Sequence, residues 1–468
     1  MSDAIAFATI GELGRMLRQD ETSATELAKF FLERLERLGP RYNAVVTITR
    51  ERALAEAAAC DRQIRSHDWR GPLHGIPYGV KDLLATRGYP TTWGAQPYRE
   101  QRLDYDAAVV EKLRAAGAVL VAKLAMVELA GGMGYDQPNA SFTGPGKTPW
   151  NPDYWSGGSS SGPGAAVAAG LVPFAIGSET SGSILTPSAY CGVTGLRPTY
   201  GLVTRYGAMA LAWTMDKLGP MGRSAEDCAI VLQAMAGLDP RDPSCVGRPF
   251  SPPPPRHGSD RPLRVAVVKG AAENIQAEVA ANFRAALAAL GDTIEVVEGV
   301  ELPDLPFGAV TSIIIAAEGA SAFDDLLRSG RLRELTAPED RTGGYPVVAV
   351  SAADYLRAMR VRRHLQRALD EFLKPFDLVA TPTRTTVASP LDKPFRDAWP
   401  GVRGGASVIG PTNVVGVPGI SVPNGFGVAG LPTGLSFVAR AFEEEKLVTL
   451  SRVYQERTDW HRRRPAIA

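Results

Sequence analysis

Apolar residues recur along this chain with two spacings, and each predicts a different element. In LAKFFLERLERLG they return every three or four positions, the period of a helix with one buried face. Ser23-Ala-Thr-Glu26 forms a capping-box pattern before this run, and Gly39-Pro40 stops it. A second helix is predicted over RERALAEAAACDRQI. From about Gly75 the texture changes to short Val- and Ile-rich runs that alternate with helical stretches and glycine turns. GAVLVAK (117–123), LRVAVVKG (263–270), TIEVVEGVELP and DLVATPT read as strands. SAEDCAIVLQAMAG (224–237), AENIQAEVAANFRAALAALG and ADYLRAMRVRRHLQRALDEFL (353–373) read as helices. Strands alternating with helices predict an α/β protein with a largely parallel or mixed central sheet. The proline-rich stretch SPPPPRHGSDRP (251–262) reads as a surface connection between two halves of that sheet, and no internal repeat is evident.

Composition narrows the partners. The 468 residues carry 51 Lys and Arg against 50 Asp and Glu, a net charge of +1. That balance gives no electrostatic reason to expect nucleic acid or an acidic membrane surface. Cys60, Cys191, Cys228 and Cys245 show no CxxC spacing, so neither a disulfide framework nor a zinc site is expected. The opening MSDAIAFATIGELG has no basic segment leading into an apolar core, and AAVAAGLVPFAIG is too short to span a bilayer. The expectation is a cytoplasmic protein.

Chemistry concentrates in two glycine- and serine-rich stretches. SGGSSSGPGAAVAAG (156–170) contains a G-x-S-x-G pattern centred on Ser160. That motif needs a strand before it and a histidine after it. The preceding KTPWNPDYW is a turn-rich loop, and of His67, His74, His257, His364 and His461 only His74 adjoins another conspicuous run, GIPYGV. GPGKT (144–148) fails as a phosphate loop because Ser141 holds the position of its first glycine, and GGMGYD (131–136) is too short for a dinucleotide fingerprint. In the second stretch, GSETSGSILTPSAYCG (177–192), Ser183 sits among the consecutive main-chain N–H groups of 180–183, a row able to hold an oxyanion. A solvated turn would explain the same composition, and composition alone favours it. A lysine held uncharged by burial is the alternative base, and Lys81 and Lys123, each ending an apolar run, both qualify.

The order GIPYGVKD, SGGSSSGPGAAVA, GSETSGSILTPSAYCGVTGLRPTYG and DKLGPMGRSAEDC resembles the amidase signature hydrolases. VLVAKLAMVELA, IGPTNVVGVPGISVPNGFGVAGLPTGLSFVAR and TDWHRRRP extend the resemblance from the Ser23 helix to Trp460. It implies one domain over 1–468 with a central mixed, mostly parallel, twisted sheet covered by helices. Residues 1–66 would be an N-terminal helical part packed on the body, 67–250 the catalytic half, 251–262 a surface loop and 263–468 the half completing the sheet. It implies Lys81 as base, Ser159 as a bridging serine entered by a cis peptide, Ser183 as nucleophile, and Thr180, Ser181, Gly182 and Ser183 as the oxyanion row. By analogy the loop Gly131-Gly132-Met133 faces the substrate, although a plain turn accounts for it equally well. Trp150, Trp155, Tyr206 and Trp213 are aromatic candidates for a pocket wall. Departures from the family pattern are Glu179 for Asp, Ser181 for Gly, Leu185 for Arg, Ala125 for Asn and Ser161 for Gly.

The implied chemistry is amide hydrolysis through an acyl-enzyme, extending to aryl amides, esters or carbamates, with no metal and no organic cofactor. The expected partner is a small-molecule amide, bound by a monomer or homodimer. Two other readings compete: the amide-cleaving subunit of a glutamine-dependent tRNA amidotransferase, and a non-catalytic binding protein on the same fold. Met215-Asp216-Lys217 stands where such subunits typically carry Leu-Asp-Gln, and their basic C-terminal block is missing, which favours the stand-alone enzyme. The complete Lys81, Ser159 and Ser183 set argues against the non-catalytic reading.

Overall fold

The computed structural model describes residues 3–254 and 261–467. His257 and positions 255–260 of the proline-rich stretch lie outside the described residues. The Ser23 capping box forms: its hydroxyl accepts the amide of Glu26 at 3.1 Å, and the Glu26 carboxylate accepts the amide of Ser23 at 2.8 Å. The helix Ala24–Leu38 follows and ends at Gly39. The helices Arg50–Arg65, Ala225–Met235 and Ala352–Leu373 lie where the apolar spacing predicts them. The helix predicted from Ala272 starts later, at Ala277, because the amide of Gln276 is committed to the carbonyl of Thr385 at 3.1 Å.

Among the described residues, eleven strands form one sheet. In chain order they are β1 (Val45–Ile48), β2 (Pro77–Lys81), β3 (Val119–Leu124), β4 (Phe174–Glu179), β5 (Thr194–Arg197) and β6 (Lys217–Gly222). After the proline-rich stretch come β7 (Leu263–Val268), β8 (Ile294–Val300), β9 (Leu378–Pro382), β10 (Gly419–Phe426) and β11 (Pro432–Val438). Their spatial order is β1-β3-β2-β4-β6-β5-β10-β11-β9-β7-β8. The sheet is mixed, as expected, but the expected predominance of parallel pairing is corrected: six of its ten pairings are antiparallel. Parallel pairs confine themselves to β3-β2-β4 and β9-β7-β8, where helices make the crossovers. In the middle, β10 and β11 are joined by the short turn 427–431, which permits only a hairpin.

The strands β2, β3, β4 and β6 are buried at every residue, so none shows the polar–apolar alternation of a half-exposed strand. The edge strand β8 carries exposed Glu295 and Glu298, charges that discourage pairing with another chain. The helix Phe307–Ala322 escaped the pattern because its apolar residues surround it without forming a stripe. Among the described residues, no helix is long and apolar enough to cross a membrane.

Candidate active site

Register decides between the two lysines. Lys81 pairs with Leu124 across β2 and β3, whereas Lys123 pairs with Val80. Neighbouring residues of a strand point to opposite faces, so the lysines leave the sheet on opposite sides. Lys123 is buried against Asp82 at 3.0 Å and donates to the carbonyl of Leu84 and the hydroxyl of Thr91. Lys81 is fully buried, with Nζ 2.7 Å from Ser159 Oγ and 2.9 Å from Ser178 Oγ. Burial pushes its pKa down from 10.5 to about 7, against the opposing pull of the Asp216 and Glu179 carboxylates.

The Gly158–Ser159 peptide is cis. Just before it, Gly157 has φ +85° and sits so close to Pro187 that a Cβ would lie 2.7 Å from Pro187 Cα. The carbonyl of Ser159 accepts the amide of Val127 at 3.1 Å, tying the serine to the loop at 127–131. Ser160, central in the G-x-S-x-G pattern, is buried and occupied: its amide donates to the carbonyl of Ser183 at 3.2 Å and its hydroxyl to that of Ser178 at 3.2 Å. Ser159 and Ser183 are thereby stitched together through the main chain between them.

Past the end of β4 the chain turns through 180–183 into the short helix Leu185–Cys191. The Glu179 carboxylate accepts the amides of Ile184 at 2.8 Å and Leu185 at 3.0 Å, and also binds Arg197 at 2.9 Å and Asn413 at 2.7 Å. The amides of Thr180, Ser181, Gly182 and Ser183 have no hydrogen-bond partner among the described residues. The donors beyond the row are consumed and the row itself is left open, the arrangement that a developing oxyanion requires. Burial alone would raise the Glu179 pKa; Arg197 and the hydrogen bonds outweigh it and hold the carboxyl below its ordinary range. The Thr180 hydroxyl donates to Asp216 at 2.6 Å, and Gly182 supplies φ +106° at the turn.

A cavity of about 540 Å³ opens at Ser183, and Ser181, Gly158, Gly131, Arg384, Phe395 and Trp399 also line it. Of the predicted loop only Gly131 reaches it. Gly132 packs toward Leu211 and Phe323, and Met133 is buried in the core beside Gly344. Leu129, Ala130 and Gly131 all have positive φ (50°, 56° and 87°), so this turn is a strained one, fixed by the bond from the Leu129 amide to the Trp93 carbonyl at 2.9 Å. Trp155 lines the cavity; Tyr206 and Trp213 line a smaller chamber of about 200 Å³ together with Thr180 and Asp216, and Trp150 donates to the Cys191 carbonyl. Leu185 is fully buried outside the wall, and none of His67, His74, His364 or His461 lines the cavity.

Sequence reasoning missed Ser178, Asp216 and Arg384. Ser178 lies one residue before Glu179 with nothing to distinguish its hydroxyl. Asp216 lies in the DKLGPMGRSAEDC run, yet its contact with Thr180 follows only from β6 lying beside β4. Arg384 sits in TPTRTTVASP, which carries no motif.

A family model described as Amidase matches residues 26–448. A glutamyl-tRNA(Gln) amidotransferase subunit of Methylococcus capsulatus is 37% identical over 483 residues, spanning 98% of this chain and 98% of its own. The peptide amidase of Stenotrophomonas maltophilia superposes with a TM-score of 0.84 at 30% identity, covering 96% of this chain and 97% of that one. A chain from a vestigial protein complex tied to the origins of an s-triazine catabolic enzyme gives 0.87 at 31% identity, with coverages of 96% and 98%.

Proposed function

This chain belongs to the amidase family, and from that premise we propose that it cleaves a carboxamide through an acyl-enzyme on Ser183. The observation that carries the reading is a lysine amine, closed off from water, 2.7 Å from the Ser159 hydroxyl. Near neutral pH an amine so depressed is partly uncharged and able to accept a proton. The Ser183 proton passes to Ser159 as the proton of Ser159 passes to Lys81. Ser183 Oγ bonds to the amide carbon, and the open N–H row at 180–183 receives the carbonyl oxygen as its charge develops. The C–N bond then breaks as the nitrogen takes a proton back along the relay. Water, deprotonated through the same relay, attacks the ester and releases the acid, returning Ser183 to its hydroxyl.

Lys81→Ala is expected to abolish acylation while the protein stays folded, and Ser183→Ala to prevent labelling by a fluorophosphonate. Normal turnover by the first variant, or labelling of the second, would reassign these roles.

A second reading is favoured by the name its relatives carry: the chain would be the amide-cleaving subunit of a glutamyl-tRNA(Gln) amidotransferase and would work with partner subunits and a charged tRNA. Met215-Asp216-Lys217 and the likeness to a peptide amidase support the stand-alone enzyme. The two separate in one assay. Hydrolysis by the purified chain alone supports the stand-alone enzyme. Glutaminase activity that appears only with partner subunits and charged tRNA supports the other.

A further inference from the structure

The charge on the walls of the Ser183 cavity is one-sided, and amide cleavage alone makes no use of it. Arg384, Arg396 and Arg403 line the cavity, and no Asp or Glu among the described residues does. Arg396 is engaged, 3.2 Å from Asp136 and 3.7 Å from Asp397. Arg384 has no carboxylate partner among the described residues, although it opens into the cavity. Its guanidinium lies 6.0 Å from the centre of the Tyr190 ring.

The main chain beneath Arg384 is fixed on both sides. The amide of Thr383 donates to Gly434 at 2.8 Å, and its hydroxyl meets Ser421 at 2.8 Å and Ser436 at 2.9 Å. The Thr385 carbonyl accepts the amide of Gln276. A guanidinium with no carboxylate beside it, presented to a cavity from an anchored main chain and hydrogen-bonded, among the described residues, only to the Tyr190 side chain, keeps donors free for a planar anion.

We propose that Arg384 binds a carboxylate carried by the substrate, so that the preferred substrates are amides bearing a carboxylate with no ammonium beside it. The inference rests on the reading of Ser183 as the acylated residue. The carboxylate can sit on the acyl side, as in a dicarboxylic monoamide, or on the amine side, as in an N-acyl amino acid. An ammonium next to it, as in glutamine, would enter a cavity wall of guanidinium groups with no carboxylate among the described residues lining it to receive it.

The test compares kcat/KM for two pairs of equal carbon count in which a carboxylate replaces a terminal methyl: glutaramate against valeramide, and N-acetyl-β-alanine against N-propylacetamide. At least one anion should exceed its neutral partner, and the pair showing the preference identifies the side. In Arg384→Gln that ratio should fall about 30-fold, the order expected for loss of a charge-assisted hydrogen bond, and Arg384→Lys should recover part of it. Glutaramate should also be cleaved faster than glutamine. Preference for both neutral amides, a ratio unchanged in Arg384→Gln, or faster cleavage of glutamine would overturn the inference. Should Arg384→Gln fail to fold, calorimetry on the unmodified protein decides the matter: glutarate should bind at least about tenfold tighter than valerate, and equal binding overturns it. Fluorophosphonate labelling of the unmodified protein separates the two levels. Labelling of Ser183 without carboxylate preference sinks the inference alone, whereas absent labelling and absent hydrolysis sink the reading on which it rests.

Discussion

Acidifying the medium should switch the enzyme off through Lys81. Burial lowers the Lys81 pKa from 10.5 to about 7, which corresponds to roughly 5 kcal/mol of disfavour for the ammonium form. With a midpoint at that value, about 90% of the lysine is neutral at about pH 8 and about 1% at about pH 5. If only the neutral amine accepts the proton relayed by Ser159, kcat/KM should fall about 90-fold across that interval, approaching tenfold per pH unit at its acidic end. The assay is hydrolysis of a non-ionising amide such as 4-nitroacetanilide, from about pH 5 to about pH 10 at fixed ionic strength, with circular dichroism confirming the fold at each point. A non-ionising substrate keeps Arg384 and substrate titration out of the slope. A profile flat through the acidic range, or a midpoint near that of an exposed lysine, would refute the claim that burial makes Lys81 the base.

Three further outcomes follow from the same packing. Glu179→Gln removes the counter-charge of the buried Arg197 and should cost about 3–5 kcal/mol in urea unfolding; a loss within error of zero would show that the carboxylate is dispensable. Gly182→Ala forces a side chain into φ +106° with a Cβ 3.2 Å from Ile409, and should cost about 1–3 kcal/mol while slowing fluorophosphonate labelling of Ser183; unchanged labelling would argue against the proposed oxyanion role of that turn. Asp340 is buried beside Glu128, and burial together with that neighbouring charge raises its pKa. The folded protein therefore keeps a proton that the unfolded chain releases, and stability should decline as pH climbs above the ordinary carboxylate range. Asp340→Asn should lessen that decline, and parallel stability–pH curves for the two proteins would contradict it.

Local chemistry was legible where a residue's partners lie within a turn or two of it. The Ser23–Glu26 capping box, the Arg50–Arg65 helix and the Val-rich β7 all depend on neighbours a few positions away, and periodicity reports them. The hairpin β10–β11 carries no periodic signal of its own, because a strand buried on both faces shows no alternation. The candidate site was half legible. Lys81, Ser159 and Ser183 came from resemblance, whereas the residues that tune them, Ser178, Glu179 and Asp216, come together only by pairing between strands.

From its order of residues alone, this chain specifies which segments coil, which extend, and which hydroxyls and amines stand ready for chemistry. Folding decides which of them meet. Lys81 rather than Lys123 reaches Ser159 because one step of register turns adjacent side chains to opposite faces of the sheet. The amides at 180–183 stay open while the carboxylate of Glu179 takes the next two. Arg384, some two hundred positions downstream of Ser183, faces the same cavity because β9 to β11 continue a sheet begun by β1 to β6. Periodicity is set by neighbours along the chain, while a buried charge, an unpaired donor and a cavity wall are set by whatever packs against them.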